Sequence, residues 1–230
     1  MKDILIPLGL LLFLGFFVYA MIHTARKQRK VKATAFRDFA DRSGLQYQEK
    51  DDDKKAQRFA KDFDGIGQFK SPSLGKIIPN DVVEGKLNGA AAILFRHRVR
   101  FLEGWAREWF VAGITNDETI SERCTVQFCK GNADKDTIYL QDPIIKELNI
   151  GPFLMVVRAS GTSSAGKTLD EGVLKQLADL AENLSFRPEI QIRGNRLAAY
   201  LADRNATIEN PETVDDLFEF ARNAVRRLEL

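Results

Sequence analysis

Residues 82–101 read VVEGKLNGAAAILFRHRVRF, with Asn88-Gly89 near the middle. That pair decides the fold. Asn and Gly tolerate the positive φ that both central positions of a type I′ turn require, so the flanking apolar runs, Val82–Leu87 and Ala90–Phe101, fold back on each other as a hairpin. A third strand, Trp105–Ile114, follows the Glu103-Gly104 turn, and Cys124–Cys129 supplies a fourth. Strands joined by turns this short pair antiparallel. Side chains alternate along a strand, which sets Phe95, His97, Val99 and Phe101 on one face and Arg96, Arg98 and Arg100 on the other. The expectation is a half-buried strand with a charged outer surface, and the three arginines also admit an anionic-lipid-sensing reading.

Upstream, Gly65, Gly67, Pro72, Gly75 and Pro79 mark residues 64–80 as an irregular connection. Asp51-Asp52-Asp53 precedes KKAQRFAKDF, which reads as a helix with acids at its positive end, and Leu45-Gln46-Tyr47 opens a strand. A helix through Ala33, Phe36, Phe39 and Ala40 stops at Gly44. Ahead of it stands ILIPLGLLLFLGFFVYAMI, Ile4–Ile22, nineteen positions without a formal charge. At about 1.5 Å per residue this run reaches roughly 28 Å, close to a hydrocarbon core of about 30 Å. Arg26, Lys27, Arg29, Lys30 and Lys32 follow it, whereas only Lys2, offset by Asp3, precedes it. A secretory signal carries its positive charge ahead of the apolar run, so a membrane anchor is the better reading despite the cleavage-site spacing of Val18-Tyr19-Ala20. The positive-inside rule orients it. Residues 1–3 form a short non-cytoplasmic N-terminus, 4–22 a transmembrane helix, 23–43 a basic juxtamembrane helix and 44–230 a cytoplasmic domain at a bacterial plasma (inner) membrane. The expected class is α+β, a mostly antiparallel sheet of hairpins covered by helices.

Residues 1–32 hold six basic residues and one acidic, leaving 28 basic against 31 acidic in the remainder, a net of −3. The excess of positive charge is local. A mildly acidic body excludes general nucleic-acid binding, which needs clustered cations over phosphates. The five cations behind the apolar run are instead placed to meet anionic lipid head groups. Cys124 and Cys129 are five apart, which on a strand puts them on opposite faces and disfavours a mutual disulfide or a shared metal. With only His23 and His97, neither a His-rich metal site nor a Ser-His-Asp triad has its residues. No cofactor is expected.

The C-terminal half carries one motif with chemistry. Gly161-Thr162-Ser163-Ser164-Ala165-Gly166-Lys167-Thr168 satisfies GxxxxGK[ST], behind an expected strand Phe153–Ala159 and ahead of a helix from Leu169 to about Leu184. Gly166, Lys167 and Thr168 would form the phosphate site, and the strand ending at Asp203 would offer a carboxylate for magnesium. Three features oppose nucleotide binding. Only 62 residues follow the motif, and they read as strand, Arg193-Gly194-Asn195 turn, strand and helix, without the crossovers of a parallel sheet. Asp170 and Glu171 repel polyphosphate, and Thr168 with Glu171 forms a capping box that accounts for the threonine. Asn210 and Pro211 then open a last helix with Val214, Leu217, Phe218, Ala221, Val225 and Leu228 in one stripe.

The anchor with its basic helix, Phe36-x-x-Phe39-Ala40 leading to Gly44-Leu45-Gln46-Tyr47, the Val83-Glu84-Gly85 to Asn88-Gly89 hairpin, Gly194-Asn195-Arg196-Leu197 and the closing amphipathic helix together resemble an uncharacterised family of bacterial single-pass membrane-anchored domains of unknown function. The resemblance covers roughly residues 30 to 228. It implies a membrane location and no particular activity or site residue. The function expected is a membrane-tethered, non-enzymatic binding or scaffold module, holding a membrane or cytoplasmic protein not identified by the sequence. The alternatives are a nucleotide-binding protein using residues 161–168 and an anionic-lipid-sensing domain.

Overall fold

In the computed structural model one helix, α1 (Lys2–Ser43), runs without a break through both segments that the sequence divides at residue 22. The structure describes residues 2–61, 63, 70–71, 75–76, 79–87, 89–100, 106–115, 123–130, 142–159, 169–201 and 212–228, and their side chains except at 2–12, 70–71, 75–76, 97–100 and 106–107. The stop at Gly44 is a Schellman turn. Gly44 takes φ 66° and the Leu45 N–H donates to the Ala40 carbonyl at 2.9 Å, closing an end that would otherwise leave carbonyls unpaired.

The remaining elements are β1 (Gln46–Lys50), α2 (Lys55–Ala60), β2 (Lys70–Ser71), β3 (Gly75–Lys76), β4 (Asn80–Leu87), β5 (Ala90–Arg100), β6 (Ala106–Thr115), β7 (Arg123–Cys129), β8 (Ile144–Ile150), β9 (Phe153–Ala159), α3 (Glu171–Glu182), β10 (Pro188–Arg193), β11 (Arg196–Leu201) and α4 (Glu212–Arg227). Nine strands form one sheet in the order β1-β4-β5-β6-β11-β10-β7-β9-β8, antiparallel at every junction. The α+β class and the hairpins read from the sequence are present. Leu87 pairs with Ala90 across the Asn88-Gly89 connection, and Arg193 pairs with Arg196 across Gly194-Asn195. Sequence order misleads at one place: β7 does not lie beside β6, because the β10–β11 hairpin inserts between them. The chain between β9 and β10 includes α3, which packs on β8 and β9, and β10 then pairs on the side of β7 opposite β9. The strand β8 also had no sequence signal strong enough to name it.

The sheet is covered on both faces. On the first, α1, α3 and α4 bury Ala35, Phe36, Phe39, Ala40, Leu174, Leu177, Ala178, Val214, Leu217, Phe218 and Ala221 against Leu94, Phe110, Val126, Met155, Ile190 and Ala199. On the second, α2 packs Phe59 with Phe63, Phe95, Trp109, Val111 and Tyr200. The reading of β5 as a strand with one charged outer surface is corrected: Phe95 is buried on the second face, while Arg96 lies on the helix-covered face between two carboxylates. The acids before α2 act as expected, since buried Asp51 accepts from the N–H groups of Ala56 and Gln57 at 3.0 and 2.9 Å. The helix itself is shorter than its pattern, ending at Ala60. Cys124 and Cys129 are buried and not disulfide-bonded.

Candidate functional site

The site is built where α1 meets the sheet. Ala35, Phe36, Phe39 and Ala40 recur at helical spacing and sink into the core, Phe36 against Phe110 and Phe39 against Phe218 at ring-centroid distances of 6.4 and 5.0 Å. One turn earlier Lys32 is buried, its ammonium 5.4 Å from the centre of the Phe110 ring and bonded to Glu108. Glu108 also accepts from Arg96 Nη1 at 2.9 Å, Arg96 continues to Asp81, and Asp81 receives the Tyr47 hydroxyl at 2.8 Å. A polar chain thus crosses β6, β5, β4 and β1 under the helix. Asp81 is 1% exposed and holds φ 51°, at an irregularity in the β4–β5 register, so its carboxylate is aimed inward by the backbone.

Burial is the largest influence on Glu108 and opposes its ionisation, but the bonds and charges of Lys32 and Arg96 outweigh it and hold the carboxyl below its ordinary range. Burial, followed by the bond to Asp81, pushes the Tyr47 hydroxyl well above its usual range. These charges are committed to one another. They tie the helix to the sheet and offer no acid or base for chemistry.

Before Lys32 the helix leaves the body. Phe13, Leu14, Phe16, Phe17, Val18, Tyr19, Met21 and Ile22 are all between 47% and 71% exposed, an apolar surface that continues around the whole helix. A chain does not keep such a surface in water without a partner for it. From 23 to 31 the helix is exposed on every side and about 13 Å long. Arg26, Lys27, Arg29 and Lys30 fall there within an arc of about 160°, centred roughly 130° from the buried face. Lys32, expected among the lipid-facing cations, is the exception, because it is turned inward to Glu108. Among the described residues no helix is long and apolar enough to cross a membrane. The first half of the expected span, positions 4–12, lies outside the residues whose side chains are described.

The octapeptide 161–168, with Gly166, Lys167 and Thr168, lies outside the described residues, as do Asp203, Asn210, Pro211 and the Glu103-Gly104 turn. Its flanks are described. The following helix begins at Glu171 and is capped by Asp170, whose carboxylate accepts from the Val173 N–H at 2.8 Å. This corrects the expected Thr168–Glu171 capping box and places an anion where a phosphate would sit. The preceding strand β9 has antiparallel neighbours on both sides, and two strands separate it from β11. A phosphate-binding loop of the GxxxxGK[ST] type sits in a parallel sheet.

One cluster was invisible in the sequence. On the second face Gln127, Arg158, Glu189, Gln191, Arg193 and Tyr200 are all buried where β7, β9, β10 and β11 lie side by side. Tyr200 donates to Glu189, Gln191 Nε2 bonds the Tyr200 oxygen at 2.6 Å, and Arg158 Nε reaches Gln127 at 3.0 Å. Arg193 bonds the Cys124 carbonyl at 2.8 Å and Gln191 at 3.2 Å. Strand alternation could have announced it, since Glu189, Gln191 and Arg193 alternate with Ile190 and Ile192, but that pattern is also the signature of a solvent face. These bonds run between neighbouring strands, and among the described residues the cluster holds no nucleophile-base pair. Among the described residues no group of three or more His, Cys, Asp or Glu could hold a metal ion.

No protein-family model matches the chain, and no curated protein matches it. Among solved structures it is similar to the crystal structure of the mycobacterial trehalose monomycolate transport factor A, TtfA. The TM-score is 0.55 at 15% identity, covering 85% of this chain and 94% of that one. The likeness is one of fold.

Proposed function

We propose that this chain is a membrane-tethered, non-enzymatic binding or scaffold module, anchored by residues 4–22 with its N-terminus outside and its α+β domain at the cytoplasmic face of a bacterial plasma membrane. One observation carries the reading. The helix that exposes its apolar surface from Phe13 to Ile22 is the same helix that buries Phe36 and Phe39 in the core, so whatever solvates the first part holds the domain rigidly. The cations at 26–30 supply the orientation. The cross-sheet charges are spent on fastening the helix, and the described residues converge on no catalytic set. A fold shared with a protein described as a transport factor supports a role in holding or presenting a partner.

Fractionation of cells making the full chain tests this. The protein is expected in membranes after high-salt and alkaline washes. Leu14→Arg with Phe17→Arg, each costing about 2.5–3.5 kcal/mol near a bilayer centre, is expected to release it. A wild-type chain washed off by salt alone overturns the tether. Equilibrium binding of ATP or GTP with magnesium tests the nucleotide-binding rival: saturable affinity lost in Lys167→Ala would replace the scaffold reading with it.

A further inference from the structure

The nine-stranded sheet ends in β1 on one side and β8 on the other, and the two edges differ in chemistry. β1 reads QYQEK, with α1 packed on it and Glu49 and Lys50 exposed, charged side chains of the kind that discourage further pairing. β8 reads IIKELNI. Ile144 and Ile145, at the register shift that begins the strand, are 36% and 43% exposed. Among the described residues they are the only large apolar side chains outside α1 left so open. The lysine of β8 does not guard this edge, because the Lys146 ammonium is turned to the Leu169 carbonyl at 2.8 Å.

The turn fixes which backbone groups of β8 face outward. Gly151, at φ 54°, and Pro152 join β8 to β9, a two-residue connection that makes Ile150 and Phe153 a hydrogen-bonded pair. Such pairs alternate with unbonded ones, so Leu148 also bonds β9, while the N–H and C=O groups of Glu147 and Asn149 point to the open side. Side chains follow the same alternation. Leu148 and Ile150 pack toward the core on the helix-covered face, and Glu147 and Asn149 are exposed on the other. An extended chain presents donors and acceptors at the spacing these backbone groups require. To match the side chains it needs a cation opposite Glu147 and apolar residues beside Ile144, Ile145 and Leu148. We propose that the outer edge of β8 takes an extended segment of a partner protein, basic on one face and apolar on the other, as a further antiparallel strand. The inference rests on the binding-module half of the proposed function and not on the tether.

The test uses the full chain in neutral detergent and a labelled seven-residue peptide with valine at alternate positions and lysine at its centre. Fluorescence anisotropy is expected to show saturable binding below about 1 mM. Replacing the central lysine with glutamate should weaken binding about three- to tenfold, and Glu147→Lys in the chain should reverse that preference. Asn149→Pro removes an outward N–H without removing a bond to β9, and is expected to abolish binding of both peptides. Wild-type chain that binds neither peptide, or both equally, overturns the inference, as does binding that survives in Asn149→Pro. Wild-type dimers, read by chemical cross-linking and lost in Asn149→Pro, place a second copy on the edge and overturn it too. The tether is decided separately, by fractionation. Glu147→Lys changes an exposed side chain, so the reversal of preference decides the matter even if Asn149→Pro misfolds.

Discussion

Glu108 receives Lys32 from α1 and Arg96 from β5 while keeping 35% of its side chain exposed, so its removal leaves two cations facing each other in a half-wet junction. Glu108→Gln is expected to lower stability by about 1–3 kcal/mol in denaturant unfolding, discounted from the buried-pair range for that exposure. The pH dependence follows from sign. A carboxyl held below its ordinary range binds its proton less readily when folded, so its contribution is complete above about pH 4.3 and is lost as pH falls through the lowered value. Wild-type stability should therefore drop more steeply on acidification than that of Glu108→Gln. At Gly113 the constraint is space. A Cβ there would lie 2.3 Å from Phe59 Cζ, and Phe59 is itself enclosed by Phe63 and Phe95. Gly113→Ala is expected to cost about 1–3 kcal/mol, with Phe59→Leu in the same chain restoring part of it. Neither residue was legible in the sequence: Lys32 and Glu108 are 76 positions apart, and β6 reads equally well with Gly113 facing water.

Helices and turns were read better, because their signals are local. The Gly44 stop, the Asn88-Gly89 and Gly194-Asn195 connections and the apolar stripe of α4 depend on neighbours within a few residues, and each stands where its pattern put it. The start of α3 shows the limit of such signals. Thr168 and Asp170 are both good caps, and only the structure shows Asp170 taking the Val173 N–H. Asp170→Ala is expected to destabilise by about 1 kcal/mol, measured by urea unfolding, without displacing the helix from the core contacts of Leu174 and Leu177. A phosphate-binding element would respond oppositely, since removing the acid would raise affinity for the ligand.

At the scale of the whole molecule, α1 changes character at Lys32, since the side chains from 13 to 31 are not buried and those from Lys32 on pack into the body. A chain lacking residues 2–22 is expected to unfold within about 2–4 °C of the full chain, a change equal to roughly 1 kcal/mol, while leaving the membrane fraction. A larger loss would mean that the apolar segment contributes to the core. What the amino-acid order determined by itself was the alternation, the turns, the Gly44 stop and a run of nineteen uncharged residues at 4–22, all of which act over a few residues or along one helix. Tertiary structure alone decided that β10 and β11 enter the middle of the sheet, that Lys32 and Arg96 turn inward, and that Glu189, Gln191 and Arg193 face a buried surface. Those outcomes depend on which surfaces meet across long separations. A polar residue on an alternating strand carries no mark of whether water or another strand's side chain will satisfy it.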